Sequence, residues 1–442
     1  MKPNSNLPEL DRALRRTRLF ETLKDGLLVL RAPPLRMHAN DVESRHRPDA
    51  DFYYLTAFPE PDAVAIFDGS AERERFVLFV QPRDPTHETW TGPQAGVEGA
   101  VETFGADAAY PMSEFDGRLA ERIANSGALY HALGHDTDFD QRLLKLANQG
   151  WARRLRNQSG RSRSILDPRP ILHEMRLHKT DEEILWLRRS AEIGAAAHRR
   201  AMAETRPGLW EHEIEALLEY EFRRAGTRGW AYPSIVAAGS HATILHYTAN
   251  DGQLGTDDLL LVDAGCDLDL HCSDITRTWP ISNDPPAPQR KVHEAVLQAQ
   301  LAAIAAVRPG ATIEMIHQRA LEVLCEHLLS WGCLKGSLEA VLRDGTYKPF
   351  YMHRTSHWLG LDVHDVGAYE VDGNPRPLKP RMVLTVEPGL YFSPRCEEAP
   401  EAFRGIGVRI EDDVVVTAEG CEVLTRDAPK DLDGMLGLRS GR

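Results

Sequence analysis

Apolar residues recur along this chain at two spacings, and the arrangement changes character near residue 170. In 10–24 they alternate with charged residues at helical intervals, and Gly26 stops the pattern. A short apolar strand is expected at 27–30. The segment 49–69 then reads as a strand carrying the aromatic cluster Phe52-Tyr53-Tyr54, a proline-punctuated turn, and a second strand at 63–67. That strand pairs hairpin-fashion with 76–80 around Asp68-Gly69-Ser70. Helical patterns at 114–125 and 139–157 alternate with a small strand at 128–131. This half is α/β and shows no cluster of metal-binding side chains.

The stretch RNQSGRSRSILDPRPILHEMRLHKTDEEI marks the changeover. Its Arg/Ser/Gly-rich start and Asp-Pro-Arg-Pro have linker chemistry, which places a boundary near Ile171 and divides the chain into domains 1–172 and 173–442. Thr180 followed by Asp181, Glu182 and Glu183 is a helix entry: a capping hydroxyl, then acids at the positive end of the helix dipole. That helix is expected to end before Pro207-Gly208. A second, at 210–225, sets Ile214, Leu217, Leu218 and Phe222 on one stripe. Two more are expected at 288–307 and 312–331. Helix pairs around β-rich segments make this half α+β, without a short internal repeat or low-complexity tract.

Length and composition narrow the picture. At 442 residues the chain is long for one core, which agrees with two domains. Its formal net charge of −14 argues against nucleic acid or an anionic membrane as partner, since either needs a basic footprint. The start, MKPNSNLPELDRALRRTRLF, lacks the apolar core of a signal peptide, and no run is long enough to span a membrane, so the expected address is cytoplasmic. Six cysteines without C-x-x-C spacing read as reduced, mostly buried thiols.

The chemistry begins at DDLLLVDAGCDLDLHCSDITRTW. Asp263 ends an apolar run with the composition of a buried strand, and Asp274 opens a second run in which Asp274, Thr276 and Thr278 share a face. A hairpin centred between Leu268 and Asp269 would set the two aspartates across the ladder, with Cβ atoms about 4.5–5.5 Å apart. Like charges there repel unless a cation lies between them, and a pair of divalent ions about 3.5–4 Å apart suits that spacing. Taken alone, an Asp before Ala-Gly is most often a turn residue, and Leu268-Asp269 is a poor hairpin turn, so this register rests on spacing.

Further acids and histidines lie downstream. HRTSHWLGLDVHDVG carries His353, His357 and His364; the glutamate of a zinc-helix motif is missing, and Gly360 with the alternation of Leu361 and Val363 favours extended structure. Val383, Thr385 and Glu387 share one face of a strand ending at Pro388-Gly389. Arg409 and Glu411 likewise oppose Val408 and Ile410. Carboxylates in strands this apolar need a cation. Asp263, Asp274, Glu387 and Glu411 bring four negative charges that two divalent ions would balance, with His357 as the nitrogen ligand. An oxygen-rich set without thiolates suits manganese or another hard ion. Such a pair would activate a bridging water and clamp a carbonyl oxygen, which is hydrolytic chemistry.

In this order, these residues resemble the aminopeptidase P branch of the pita-bread metallopeptidases. The likeness extends over nearly the whole chain: SRHRPDADFYYLTAFPEPDAV, HEMRLHKTDEEI, ILHY, DAG with SDITRT, HWLGLDVHDVG, EPGLY and RGIGVRIEDD. It implies a creatinase-like N-terminal domain, a pita-bread catalytic domain, and assembly as a homodimer or homotetramer. It also implies removal of the N-terminal residue from peptides with proline in second position, generally with two manganese ions and attack by a metal-bridging hydroxide. Carried over by the resemblance, Asp263 would bind one metal, His357 and Glu387 the other, and Asp274 and Glu411 both. Glu387 would also move the proton from water to the leaving nitrogen. His246 and His364 look like the histidines that contact substrate near the scissile carbonyl, with His353 lining the prolyl pocket. Arg409 would be a countercharge to the acids, and Trp90, in RDPTHETWTG, resembles a tryptophan that approaches the site from the first domain. Arg354 departs from the family's usual glycine after the first histidine and would narrow or recharge the prolyl rim. Two readings compete with an aminopeptidase: a prolidase, acting on dipeptides with the same fold, and a metal-free binding protein that kept it.

Overall fold

The structure is a computed structural model describing residues 7–155 and 164–439. It divides into two compact units, Leu10–Met175 and, for the remainder, Arg176–Arg442 with Met1–Glu9. The Arg/Ser/Gly-rich stretch 156–163, read as linker, lies outside the described residues, as does the start of the chain at 1–6. Helix Arg169–Leu177 runs through the residues where the two units divide. Pro8 joins the second unit, its carbonyl accepting from the Trp186 indole at 2.9 Å.

The first unit is built on a six-stranded mixed sheet in the order Ala108–Pro111, Phe76–Val80, Val64–Asp68, Leu27–Arg31, Leu129–Tyr130, Ile165–Leu166. The three central strands are antiparallel and the flanking pairs parallel. Both hairpin strands read from the sequence are present, with Val64 opposite Phe79. Helices Phe115–Asn125 and Thr137–Leu155 cover one face through Phe115, Leu119, Ile123, Phe139 and Leu143. The aromatic cluster expected as a strand is instead the helix Ala50–Thr56. Asp49 caps it, accepting from Phe52 N at 2.8 Å, and Ala57 ends it in the left-handed region. A short apolar run does not by itself distinguish strand from buried helix, and the cap decides here.

The second unit opens on helix Asp181–Glu204. Its capping box closes in both directions: Glu183 N donates to Thr180 Oγ1 at 3.2 Å, and Thr180 N to Glu183 Oε2 at 2.9 Å. It packs with helix Glu211–Arg224 over Val236, Leu260, Val262 and Trp279. Leu259–Asp263 is the middle strand of an antiparallel three-stranded sheet between Ile235–Ala238 and Thr276–Pro280. A neighbour on each edge and burial on both faces explain its unbroken apolar run.

A second antiparallel sheet joins Val383–Val386, Asp412–Val416 and Cys421–Val423, and a ribbon pairs Gly389–Tyr391 with Gly407–Arg409. Helices Ala287–Ala306 and Ile313–Ser330 pack on each other, and their apolar faces share a core with Leu390, Val408 and Ile410. Val408 and Ile410 therefore turn one way and Arg409 and Glu411 the other, as the two-residue side-chain period requires. The two halves of the unit meet where Glu411 N donates to Thr276 O at 3.0 Å.

Candidate metal centre

The hairpin exists, with its centre moved by one residue from the expected register. Asp263 pairs with Thr276, and the tip pairs Asp267 with Cys272 and Leu268 with His271. The aspartates are therefore diagonal neighbours on one face rather than directly opposed. Turn residues Asp269 and Leu270 both have positive φ, 53° and 68°. Such angles are costly for residues with a side chain. Burial of Leu270 and its N–H bond to Asp267 Oδ1, at 2.7 Å, offset the cost. Turn chemistry read locally does not reveal this, because the stabilising burial is tertiary.

Between the aspartates stands a residue that the sequence pattern did not single out. Tyr232 donates its phenolic proton to Asp263 Oδ1 at 2.6 Å and lies against Asp274 Oδ1. Nothing in the local spacing around Tyr232 marks it. The other face of Asp263 takes Arg409, whose Nη2 donates to Oδ2 at 2.6 Å. Arg409 also donates through Nε to Thr276 Oγ1 at 3.1 Å and through Nη1 to Tyr391 Oη at 3.1 Å. Thr276 in turn donates to Glu411 Oε2 at 2.6 Å.

The histidine segment begins extended, as expected, lying antiparallel to Val383–Val386. Thr385 N donates to His357 O at 3.0 Å, Leu359 N to Val383 O at 3.1 Å, and Glu387 N to Thr355 O at 2.8 Å. Beyond Gly360 the chain turns back, contrary to the extended expectation, and Asp365 N reaches Trp358 O at 2.9 Å. This return sets the His364 ring edge-on to His357, with centroids 4.4 Å apart.

His357 Nδ1 bonds the Trp358 carbonyl at 2.9 Å, which leaves Nε2 facing the acids, 3.4 Å from Asp274 Oδ2 and 3.7 Å from Glu387 Oε1. Asp274, His357 and Glu411 each offer a ligand atom within 4.8 Å of the other two. Tyr232 ties Asp263 to this cluster, and His357 ties in Glu387.

His353 bonds Tyr391 Oη through Nε2 at 2.8 Å. His246 is exposed on the loop after the short turn Gly239–Thr243, within electrostatic reach of His353 and His364. Trp90 stands on the first unit, in helix Pro85–Thr91, and is 85% exposed.

The electrostatics ask for positive charge. Burial, then repulsion from Asp274, Glu387 and Asp263, pushes Glu411 well above the usual carboxylate range. Burial raises Glu387 to about 7 despite His357 and Arg409, and lifts Asp263 despite Arg409. Burial works against charge on His357, but Asp274 and Glu387 outweigh it and hold the imidazole at about 9. Acids that retain protons and a histidine that gains one are what a cation site shows when only its side chains are considered. Four carboxylates and one imidazole, with no thiolate, fit a pair of hard divalent ions.

Comparison with known proteins agrees with this geometry. The model of metallopeptidase family M24 matches residues 186–418, and that of the aminopeptidase P N-terminal domain matches 13–130. The Xaa-Pro aminopeptidase of Haemophilus influenzae is 40% identical over 430 residues, 97% of this chain and 96% of the relative. That of Escherichia coli is 40% identical over 419 residues, 94% of each. The solved structure of Pseudomonas aeruginosa aminopeptidase PepP superposes with a TM-score of 0.95 at 42% identity over 98% of both chains. With this fold and this gathering of acids around a histidine, the chain belongs to metallopeptidase family M24 and carries the aminopeptidase P N-terminal domain ahead of the catalytic one.

Proposed function

We propose that this chain is an Xaa-Pro aminopeptidase, releasing the N-terminal residue from peptides whose second residue is proline. The observation that carries the reading is the convergence of Asp274, His357 and Glu411, with Asp263 and Glu387 beside them, in a protein 40% identical to two Xaa-Pro aminopeptidases. In this reading Asp263, Asp274, His357, Glu387 and Glu411 would together hold two divalent cations. Bound there, the cations would lower the pKa of water and polarise a carbonyl oxygen.

The remaining work falls to side chains. An Xaa-Pro bond is a tertiary amide whose nitrogen carries no hydrogen, so the leaving proline must be protonated. Glu387 is assigned that transfer, accepting a proton from the attacking water and delivering it to nitrogen. Arg409 and Tyr232 fix the orientation of Asp263. His246 and His364 bind near the scissile carbonyl, and His353, backed by Tyr391, lines the proline side. Manganese as the native metal, a cytoplasmic address and a homodimer or homotetramer complete the reading; the oxygen-rich ligand set supports the first. Among the described residues no helix is long and apolar enough to cross a membrane.

Incubation of the manganese-loaded protein with an Xaa-Pro dipeptide and an Xaa-Pro-Pro tripeptide tests the proposal. Release of the N-terminal residue from the tripeptide is expected. Turnover of the dipeptide alone would make the protein a prolidase, and hydrolysis unaffected by Asp263→Ala or Glu387→Ala would remove the metal centre from the chemistry.

A further inference from the structure

His364 sits on a turn with no regular secondary structure, yet its ring is held 4.4 Å from that of His357. Backbone bonds account for part of this: Cys272 N donates to Gly360 O at 2.9 Å and Gly360 N to Asp362 O at 3.2 Å. These fix the entry to the turn, and Asp365 N, donating to Trp358 O at 2.9 Å, fixes its return; what holds the stretch between them is the side chains.

Carboxylates flank His364, Asp362 two residues before it and Asp365 directly after, and both are held by cations from the first residues of the catalytic unit. Arg176 Nη2 donates to Asp365 Oδ1 at 2.5 Å and to Asp362 Oδ2 at 2.8 Å. Lys179 Nζ donates to Asp365 Oδ2 at 3.0 Å. Asp365 is only 1% exposed, so its charge persists there because cations face both oxygens. The base of the clamp is fixed as well. Leu177 is buried against Trp358 and Leu384, and Lys179 N donates to Arg381 O at 3.3 Å. Gly360 completes the fit: a Cβ at that position would stand 2.0 Å from Asp365 Oδ2, so only glycine admits the carboxylate.

We propose that Arg176 and Lys179 are positioning residues for His364, setting its imidazole against His357 by gripping Asp362 and Asp365 on either side of it. The proposal rests on the reading above, in which His364 meets the peptide near the bond that breaks. None of the contacts in the clamp is made by Asp274, His357 or Glu411, so loosening it leaves metal content intact. What changes is the precision with which one substrate-binding histidine is placed, and small misplacements at a reacting centre are expensive.

A double-mutant cycle on the metal-loaded full chain tests this, with kcat and KM measured on an Xaa-Pro-Pro tripeptide. Arg176→Met and Asp362→Asn are each combined with His364→Ala. Each clamp variant alone is expected to lower kcat about tenfold or more with little change in KM and wild-type metal content. In the His364→Ala background neither should cost anything further, because the residue that they position is gone. A purely structural role would cost the same in both backgrounds, and that result overturns the proposal. So does wild-type kcat in folded clamp variants. Arg176→Met leaves buried Asp365 short of a partner; if it fails to fold, Asp362→Asn, at a site about one-third exposed, carries the cycle alone. A wild type that leaves the tripeptide uncut overturns the reading of the site itself, whereas an active wild type with additive losses overturns only the clamp.

Discussion

The hydroxyl of Tyr232 donates to Asp263 at 2.6 Å while lying against Asp274, so one neutral donor separates a buried and a mostly buried carboxylate that hairpin pairing brings close. Burial, with the charges of Asp263 and Asp274, raises its pKa well above the ordinary phenol value and keeps it a donor. Tyr232→Phe removes only that oxygen. The expected result is a folded protein with metal affinity about tenfold lower, since partners that orient ligands commonly carry that much. Calorimetric titration with manganese checks it; unchanged affinity would show that the hydroxyl does not orient Asp263.

Metal removal should give a pH dependence with a definite sign. In the metal-free chain Glu387 rises to about 7 from an ordinary 4.5, so its ionisation destabilises the fold as pH climbs through that interval. His357 rises to about 9 from 6.5; the stability it contributes is complete below 6.5 and is lost as pH rises through about 9. Both groups make the metal-free protein weaker toward alkaline pH, while cation affinity grows there as ligands lose protons. Chelation should therefore lower the thermal midpoint more at about pH 9 than at about pH 5. An equal drop at both would contradict the assignment of these groups to the metal centre.

Two ion pairs of nearly equal length should behave differently. Arg277 and Asp412 meet at 2.6 Å with both side chains fully buried, and Arg277 also donates to the carbonyls of Thr276, Ala428 and Pro429. Arg277→Met leaves Asp412 with Lys430 Nζ, at 2.7 Å, as its remaining cation and also takes a donor from three carbonyls; it should cost about 3 kcal/mol in urea unfolding. Arg354 and Glu314 meet at 2.5 Å, both more than half exposed. Arg354→Ala should cost at most about 1 kcal/mol, because water screens the pair.

All of the cysteines but Cys421 should be silent in the native state. Burial pushes Cys266 and Cys333 up to about 11 and Cys325 to about 12, leaving almost no thiolate at neutral pH. Cys421, partly exposed, should react first with a thiol reagent, and the others only after denaturation. Rapid native labelling of Cys266 would show that the hairpin opens.

The sequence alone determined the five candidate ligands and most of the elements that carry them. Asp263, Glu387 and Glu411 each stand where an apolar run meets a turn or charge, a conflict visible in one dimension because burying a carboxylate is costly wherever it happens. The capping box at Thr180 was legible for the same reason: its bonds span three residues. The tertiary structure decided what depends on distant partners. It moved the hairpin so that Asp263 faces Thr276, because burial of Leu270 outweighs poor local turn chemistry. It made the aromatic run at 50–56 a capped helix. It brought Tyr232 between the two aspartates and joined Arg176 to Asp365 across 189 residues. No periodicity encodes such contacts, because a side chain and its partner need share no spacing along the chain, only a position in the folded molecule.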